Sequence, residues 1–239
     1  MTTGDAVRNR LGLGRLLPLG AASDGAWLTE EAAVVVLRAA VEPLPAVALG
    51  RVRLSLAAPE QATAPPVPAP PSALPPGGLR IEADFTAPAH RPLPSVASEL
   101  REVLWSTATH RLDLVVEETD LSVNGLSDAP TEPAAQAREE GKGVARPPGG
   151  RPTRPAGPAA LAASAVPGVA HLTSTLGDSV HLAPDHIRVE LATAVGHRPL
   201  AVVGAVRQAV LAALGDDGRP VVVLVTAVGL EGQRTSSAD

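Results

Sequence analysis

Apolar and polar positions alternate with a period of two in three stretches of this chain. In residues 51–56, Val52, Leu54 and Leu56 fall on one side and Arg51, Arg53 and Ser55 on the other. In residues 80–86, Ile81, Ala83 and Phe85 oppose Arg80, Glu82 and Asp84. In residues 115–124, Leu121 and Val123 oppose Asp120, Ser122 and Asn124. This is the pattern of strands with one face on a core and one face in water, and it suits an antiparallel sheet. Between the strands the period lengthens to that of a helix. Thr29 before Glu30 and Glu31 is a helix start, since the hydroxyl accepts from an orphan amide and the carboxylates sit at the positive dipole end. Val34, Leu37 and Val41 then follow at spacings of three and four. A second helix begins near Pro92, with Val96, Leu100, Val103 and Thr107 on one face and Glu99 and Glu102 off it.

This order recurs. Thr86-Ala87-Pro88-Ala89-His90-Arg91-Pro92-Leu93 matches Thr193-Ala194-Val195-Gly196-His197-Arg198-Pro199-Leu200 at six of eight positions. An alternating strand precedes each copy (Arg80-Ile81-Glu82 and Arg188-Val189-Glu190), and an amphipathic helix and a last strand follow it. In the second copy Val203, Val206, Val210 and Leu214 share the helix face. Upstream of each stands an Ala/Val-rich helix, at 30–41 and about 158–166. The Glu-to-Thr spacing differs by one residue between copies, which predicts a bulge or an early strand end. The expected fold is α+β: a tandem duplication of an α-β-β-α-β unit, with mainly antiparallel small sheets, each carrying helices on one face. Arg51 and Arg53 are expected to oppose Glu82 and Asp84 across a strand pair.

The expected layout is a basic-apolar segment at 1–25, a first repeat at 26–127, a linker at 128–156, a second repeat at 157–230 and a polar tail at 231–239. The first repeat carries a proline-rich loop at 59–77. Loop, linker and tail read as unfolded: the loop's prolines lack amide donors and favour extended backbone, and the linker has an acidic half and a basic half. The loop's Pro65-x-x-Pro68 spacing also fits a groove-binding partner, beside its reading as a passive insertion.

Composition narrows the function. The chain has 239 residues and no cysteine, which excludes disulfides, thiolate metal sites and a thiol nucleophile. Two Trp, one Phe and no Tyr supply no stacking platform for bases, and a net charge of -5 argues against a protein built for phosphate backbones. There is no Gly-x-Ser-x-Gly elbow and no nucleotide-binding glycine fingerprint. His171, His181 and His186 cluster in sequence without metal-ligand spacing, so no metal and no cofactor is expected. No run of 18 apolar residues occurs, and no signal peptide is read at the start, which fits a cytoplasmic protein without a transmembrane segment.

The segment Ala162-Ala163-Ser164-Ala165-Val166-Pro167-Gly168-Val169-Ala170 resembles the helix-to-strand opening of the alkaline shock protein family, the Gls-type general stress proteins. Arg188-Val189-Glu190-Leu191 resembles that family's second strand, residues 200–214 its helix and residues 221–230 its last strand. The resemblance covers the second repeat well and the first loosely. The whole chain, including its opening from Asp5 to Arg15, also resembles actinobacterial proteins that carry a nucleopolyhedrovirus P-ten family label and are encoded beside alkaline shock proteins and their membrane anchors. The resemblance implies a non-enzymatic role: assembly with alkaline shock proteins or their membrane anchor in an envelope stress response, membrane association through such a partner, and homo-oligomerisation left open.

Two sets of residues are candidates for binding. His90-Arg91 and His197-Arg198 stand at helix starts, where free amides attract anions, and their repetition suggests paired anion- or small-molecule-binding corners. The plain alternative is an exposed turn in which Pro sets the helix direction. Arg8, Arg10 and Arg15 alternate with Leu11, Leu13, Leu16 and Leu17, a basic-apolar segment that can dock on the protein's own body, on a partner or on an anionic membrane.

Overall fold

The computed structural model describes residues 14–127, 150–215 and 218–230. The helices start where the capping chemistry predicts. α1 (Glu30–Val41) begins with Thr29 Oγ1 accepting from the Ala32 amide at 3.3 Å. Its buried face centres on Ala33, Val36 and Leu37, a small rotation from the expected line through Val34. α2 (Leu93–Ser106) follows Pro92, buries Val96, Leu100 and Leu104, and runs into a π turn at Thr107–Arg111. α3 (Pro158–Ser164) and α4 (Pro199–Leu214) complete the set, the latter burying Val202, Val203, Val206 and Val210.

Three strands form the smaller sheet: β3 (Ala48–Leu56), β4 (Leu79–Pro88) and β5 (Val116–Ser127), in the order β3-β4-β5. β3 is antiparallel to β4, and β4 is parallel to β5. The larger sheet has seven strands in the order β1-β2-β10-β9-β7-β6, with β8 also paired to β9. Its members are β1 (Leu16–Pro18), β2 (Ala26–Thr29), β6 (Pro152–Thr153), β7 (Val169–Thr173), β8 (Val180–Leu182), β9 (Ile187–Thr193) and β10 (Val221–Val228). β7 is antiparallel to β9, and β9 is parallel to β10. Both halves therefore show helix, strand, strand, helix, strand, with the first strand pair antiparallel and the second parallel. Register shifts between Phe85 and Thr86 (against Val123 and Gly125) and between Val225 and Ala227 place a bulge in the last strand of each half, near the slipped position.

Several expectations need correction. The sheets are mixed, because a helix between the second and third strands returns the chain in the same direction. In the smaller sheet that helix covers one face only, so parallel strands still alternate. The larger sheet is not a self-contained second repeat: it takes β1 and β2 from the start of the chain, β2 lying parallel to β10 with Trp27 opposite Leu224. The boundary drawn at residue 25 thus cuts through this sheet. The linker drawn to residue 156 ends earlier, since β6 pairs with β7; residues 128–149 and the tail at 231–239 lie outside the described residues.

The proline-rich loop is seated on the protein. Leu16 donates to Ser72 O at 3.2 Å, Leu74 donates to Leu16 O at 2.8 Å, and Trp27 Nε1 donates to Leu74 O at 3.3 Å. Val67 and Ala73 from this strap, with Leu176, pack on Leu16, Trp27, Val222 and Leu224, a second small core on the outer face of the larger sheet. The main core lies on the inner side, where the four helices and the inner faces of both sheets share one continuous buried cluster. The strap meets β1 through one parallel bridge, Ala73 to Leu16, and otherwise lies as extended backbone, so low propensity for regular structure did not mean an unpacked segment.

Candidate functional site

The two His-Arg turns are the first place to look for chemistry, and the fold treats them differently. At α4, Arg198 is the cap residue and Pro199 the first helical residue. Asp113, from the turn after α2, is brought against this helix start. Its Oδ2 accepts from the Leu200 amide at 3.0 Å, and its Oδ1 receives the Arg198 guanidinium. The Asp113 side chain is only 3% exposed, and its backbone sits in the left-handed region at φ 57°. A residue other than glycine or asparagine-like types is uncommon there, and Asp is among those that tolerate it. The anion this corner attracts is therefore the protein's own carboxylate, and it ties the two halves together. His197 lies against Gly168, where a Cβ would come within 2.8 Å of Nδ1.

At α2 no carboxylate among the described residues takes the corresponding place. Arg91 Nη2 turns back to Glu99 Oε2 of the same helix at 2.7 Å, and no side chain caps the helix start. His90 is exposed. The structure does not bring His90 and Arg91 together with His197 and Arg198 into one site, since each pair is engaged within its own half or with Asp113.

Of the basic-apolar segment, Arg8, Arg10, Leu11 and Leu13 lie outside the described residues. The rest is docked on the protein's own body. Leu16 and Leu17 are buried in β1, which removes them from the surface offered to a partner or membrane. Arg15 Nη1 donates to Leu54 O at 3.0 Å. Glu30 completes this clamp, accepting from the Leu54 amide at 2.9 Å and from the Arg15 amide at 3.3 Å. A residue read from the sequence as a dipole-favoured helix start thus also fastens Arg15, at the entry to β1, to β3.

The open face of the smaller sheet holds a cleft of about 460 Å³, where Arg15, Arg51 and Arg53 face Glu82, Asp84 and Asp120. Its three cations and three acids balance, so it offers no net charge to a ligand. Arg53 stands opposite Glu82 in register, as expected, but the ion pairs on this face belong to Arg80, with Glu118 and with Asp120 at 3.5 Å. Arg80 lies between two acids of the neighbouring strand, and the hydrogen bond to Glu118 holds its pKa above its ordinary value.

Sequence reading also passed over Glu190. It is 0% exposed in β9. Its carboxylate accepts from the Thr175 amide at 2.6 Å and the Leu176 amide at 3.1 Å, with Arg188 Nε at 3.2 Å from Oε1. Burial raises its pKa, against the pull of the Thr175 amide, Arg188 and the Leu176 amide. Glu82, which holds the corresponding place in β4, is exposed. The only available signal was the local composition: Thr173, Thr175 and Thr193 around a strand with apolar neighbours on both sides.

Among the described residues no group of three or more His, Asp or Glu is placed to hold a metal ion, and no helix is long and apolar enough to cross a membrane. No family model, curated protein or solved structure matches the chain. Glu30, Asp113 and Glu190 each accept from backbone amides of the protein itself.

Proposed function

We propose that the protein is a non-catalytic assembly subunit of the alkaline shock type. It acts in the cytoplasm by contact with alkaline shock proteins or their membrane anchor, and reaches the membrane only through such a partner. Its two halves descend, on this reading, from one doubled α-β-β-α-β unit. The observation that supports it is the repetition of one strand-pairing scheme in both halves, with the Ala-rich α3 leading through Val166-Pro167-Gly168-Val169 into β7 as in the family it resembles. The engagement of the buried carboxylates with backbone amides favours contact over catalysis. The reading as an anion-binding module gains nothing at α4, where Asp113 holds the place a ligand would need.

Affinity purification of the tagged protein from cells that express it tests the proposal. Recovery of alkaline shock proteins or their membrane anchor is the expected result. Recovery of neither, under conditions that preserve a known complex of those proteins, overturns it.

A further inference from the structure

The outer face of the larger sheet is closed by a cover with few holds. Leu16, Trp27, Val222 and Leu224 are buried there, and the strap lies on them through Val67 and Ala73. Val67 sits over Gly25, where a Cβ would come within 2.9 Å of it. Eight of the nineteen residues at 59–77 are proline and have no amide to give. Among the described residues three bonds tie the strap to β1 and β2: the Leu16 amide to Ser72 O, the Leu74 amide to Leu16 O, and Trp27 Nε1 to Leu74 O. Ser72 makes its bond from the left-handed region, at φ 68°, which residues other than glycine seldom occupy. The closed strap thus carries backbone strain that opening releases.

Lifting the strap breaks no rung between the named strands. β3 and β4 are paired up to Leu56 and Leu79, and the Ala57 amide donates to Gly78 O at 2.9 Å, so the two ends of the strap stay closed on each other. A segment with few bonds and few buried apolar side chains opens at lower free energy than the fold around it. The contacts also define what fits the face beneath. Residues 72 and 74 bracket Leu16 in a single parallel bridge, and two residues further along β1 Pro18 has no amide for a longer ladder. A regular strand therefore gains little here over a chain poor in amides. The covered side chains are uncharged, and so is every residue from 62 to 76.

We infer that the strap is a displaceable cover on a docking site, and that an extended, uncharged, proline-rich segment of a partner protein takes its place. The strap opens as a unit on its closed stem. The partner's segment then takes over the bridge to Leu16 and the contact with Trp27, using the chemistry the strap uses within the chain. This goes beyond the assembly reading above and does not rest on it.

Hydrogen exchange of the intact protein, read residue by residue by NMR, tests the opening. The Leu16 and Leu74 amides are expected to exchange through one common opening, at least about tenfold less protected than the Val223 amide in β10 and the Ala57 amide at the stem. Docking is tested with a synthetic peptide of residues 62–76. Trp105→Phe leaves Trp27 as the only tryptophan, and in this background 62–76 is replaced by a Gly/Ser stretch of equal length. Acrylamide is expected to quench Trp27 in the replaced chain, and the peptide to restore protection saturably below about 1 mM. A peptide carrying Val67→Asp and Ala73→Asp is expected to leave the quenching unchanged. The inference is overturned by Leu16 and Leu74 amides as protected as that of Val223. It is equally overturned if the peptide gives no protection to a replaced chain that keeps the native circular dichroism. A dimer of the intact chain that the peptide takes apart would put the strap of a second copy in that place, and overturns the partner. Co-purification with alkaline shock proteins by a chain whose strap stays shut overturns this inference and leaves the assembly reading standing.

Discussion

The two halves use the same element order and differ in what lies on the outer face of their sheets. In the smaller sheet that face is open, and β4 reads as strict alternation, with Ile81, Ala83 and Phe85 buried and Arg80, Glu82 and Asp84 on the other side. In the larger sheet the strap and the segment after β7 cover the outer face. There β10 is apolar at every position from Val221 to Val225, all of them buried. One topology thus takes two polarity patterns according to whether one face or two are covered. The same difference decides the fate of matching residues: Glu82 lies at the surface, and Glu190 is enclosed and held by two amides.

Trp27→Ala gives the largest expected change, because Trp27 is 2% exposed and holds both the strap and the outer face of the larger sheet. Urea unfolding should show a loss of about 3–5 kcal/mol, in the range for truncating a buried large side chain. If the strap is a passive covering, the loss will be no larger than for a half-exposed apolar residue.

Asp113→Ala comes next. It removes the cap of α4 and leaves the Leu200 amide and Arg198 without their partner, an expected loss of about 1–3 kcal/mol by the same measurement. Glu99→Ala at the other His-Arg turn breaks only a half-buried ion pair that caps nothing, and should cost under about 1 kcal/mol. Equal losses would contradict the difference drawn between the two corners.

Glu190 sharpens the comparison through pH. Its folded pKa is raised above the unfolded value, so the folded state takes up its proton more readily. The group's contribution to stability is therefore fullest below the unfolded pKa, and falls as pH rises from there through the raised folded pKa. Unfolding free energies measured for the native protein and Glu190→Gln from pH 4 upward should shift against the native protein as pH rises, about 4.5 being where the unfolded carboxylate titrates. The smallest effect is expected at Arg53, on the open face without an ion pair among the described residues. Arg53→Ala should change stability by no more than about 0.5 kcal/mol.

The elements were largely legible in the chain. Thr29 and Pro92 marked helix starts because capping is local chemistry, read within a few residues. Val52, Ile81 and Phe85 marked buried strand faces because the pleat imposes a period of two. The likeness of the halves was legible in the His-Arg-Pro-Leu turns. What those turns do was not. Asp113 reaches Arg198 and Leu200 across 85 and 87 residues of sequence, and nothing local to either announces the meeting. The expected opposition of Arg53 and Glu82 had the right register, but the ion pairs on this face join Arg80 to Glu118 and Asp120, on a strand whose neighbour could not be named beforehand.

Local periodicity, capping residues and the repeated turn thus determined which segments become helices and strands and in what order, since each depends on neighbours a few bonds away. Tertiary structure alone decided that β1 and β2 complete the sheet of the other half, that a proline-rich stretch becomes a strap, and that one of two like carboxylates is buried. Those outcomes depend on which surfaces meet across long loops, where the gain from covering apolar area outweighs what any short stretch prefers by itself.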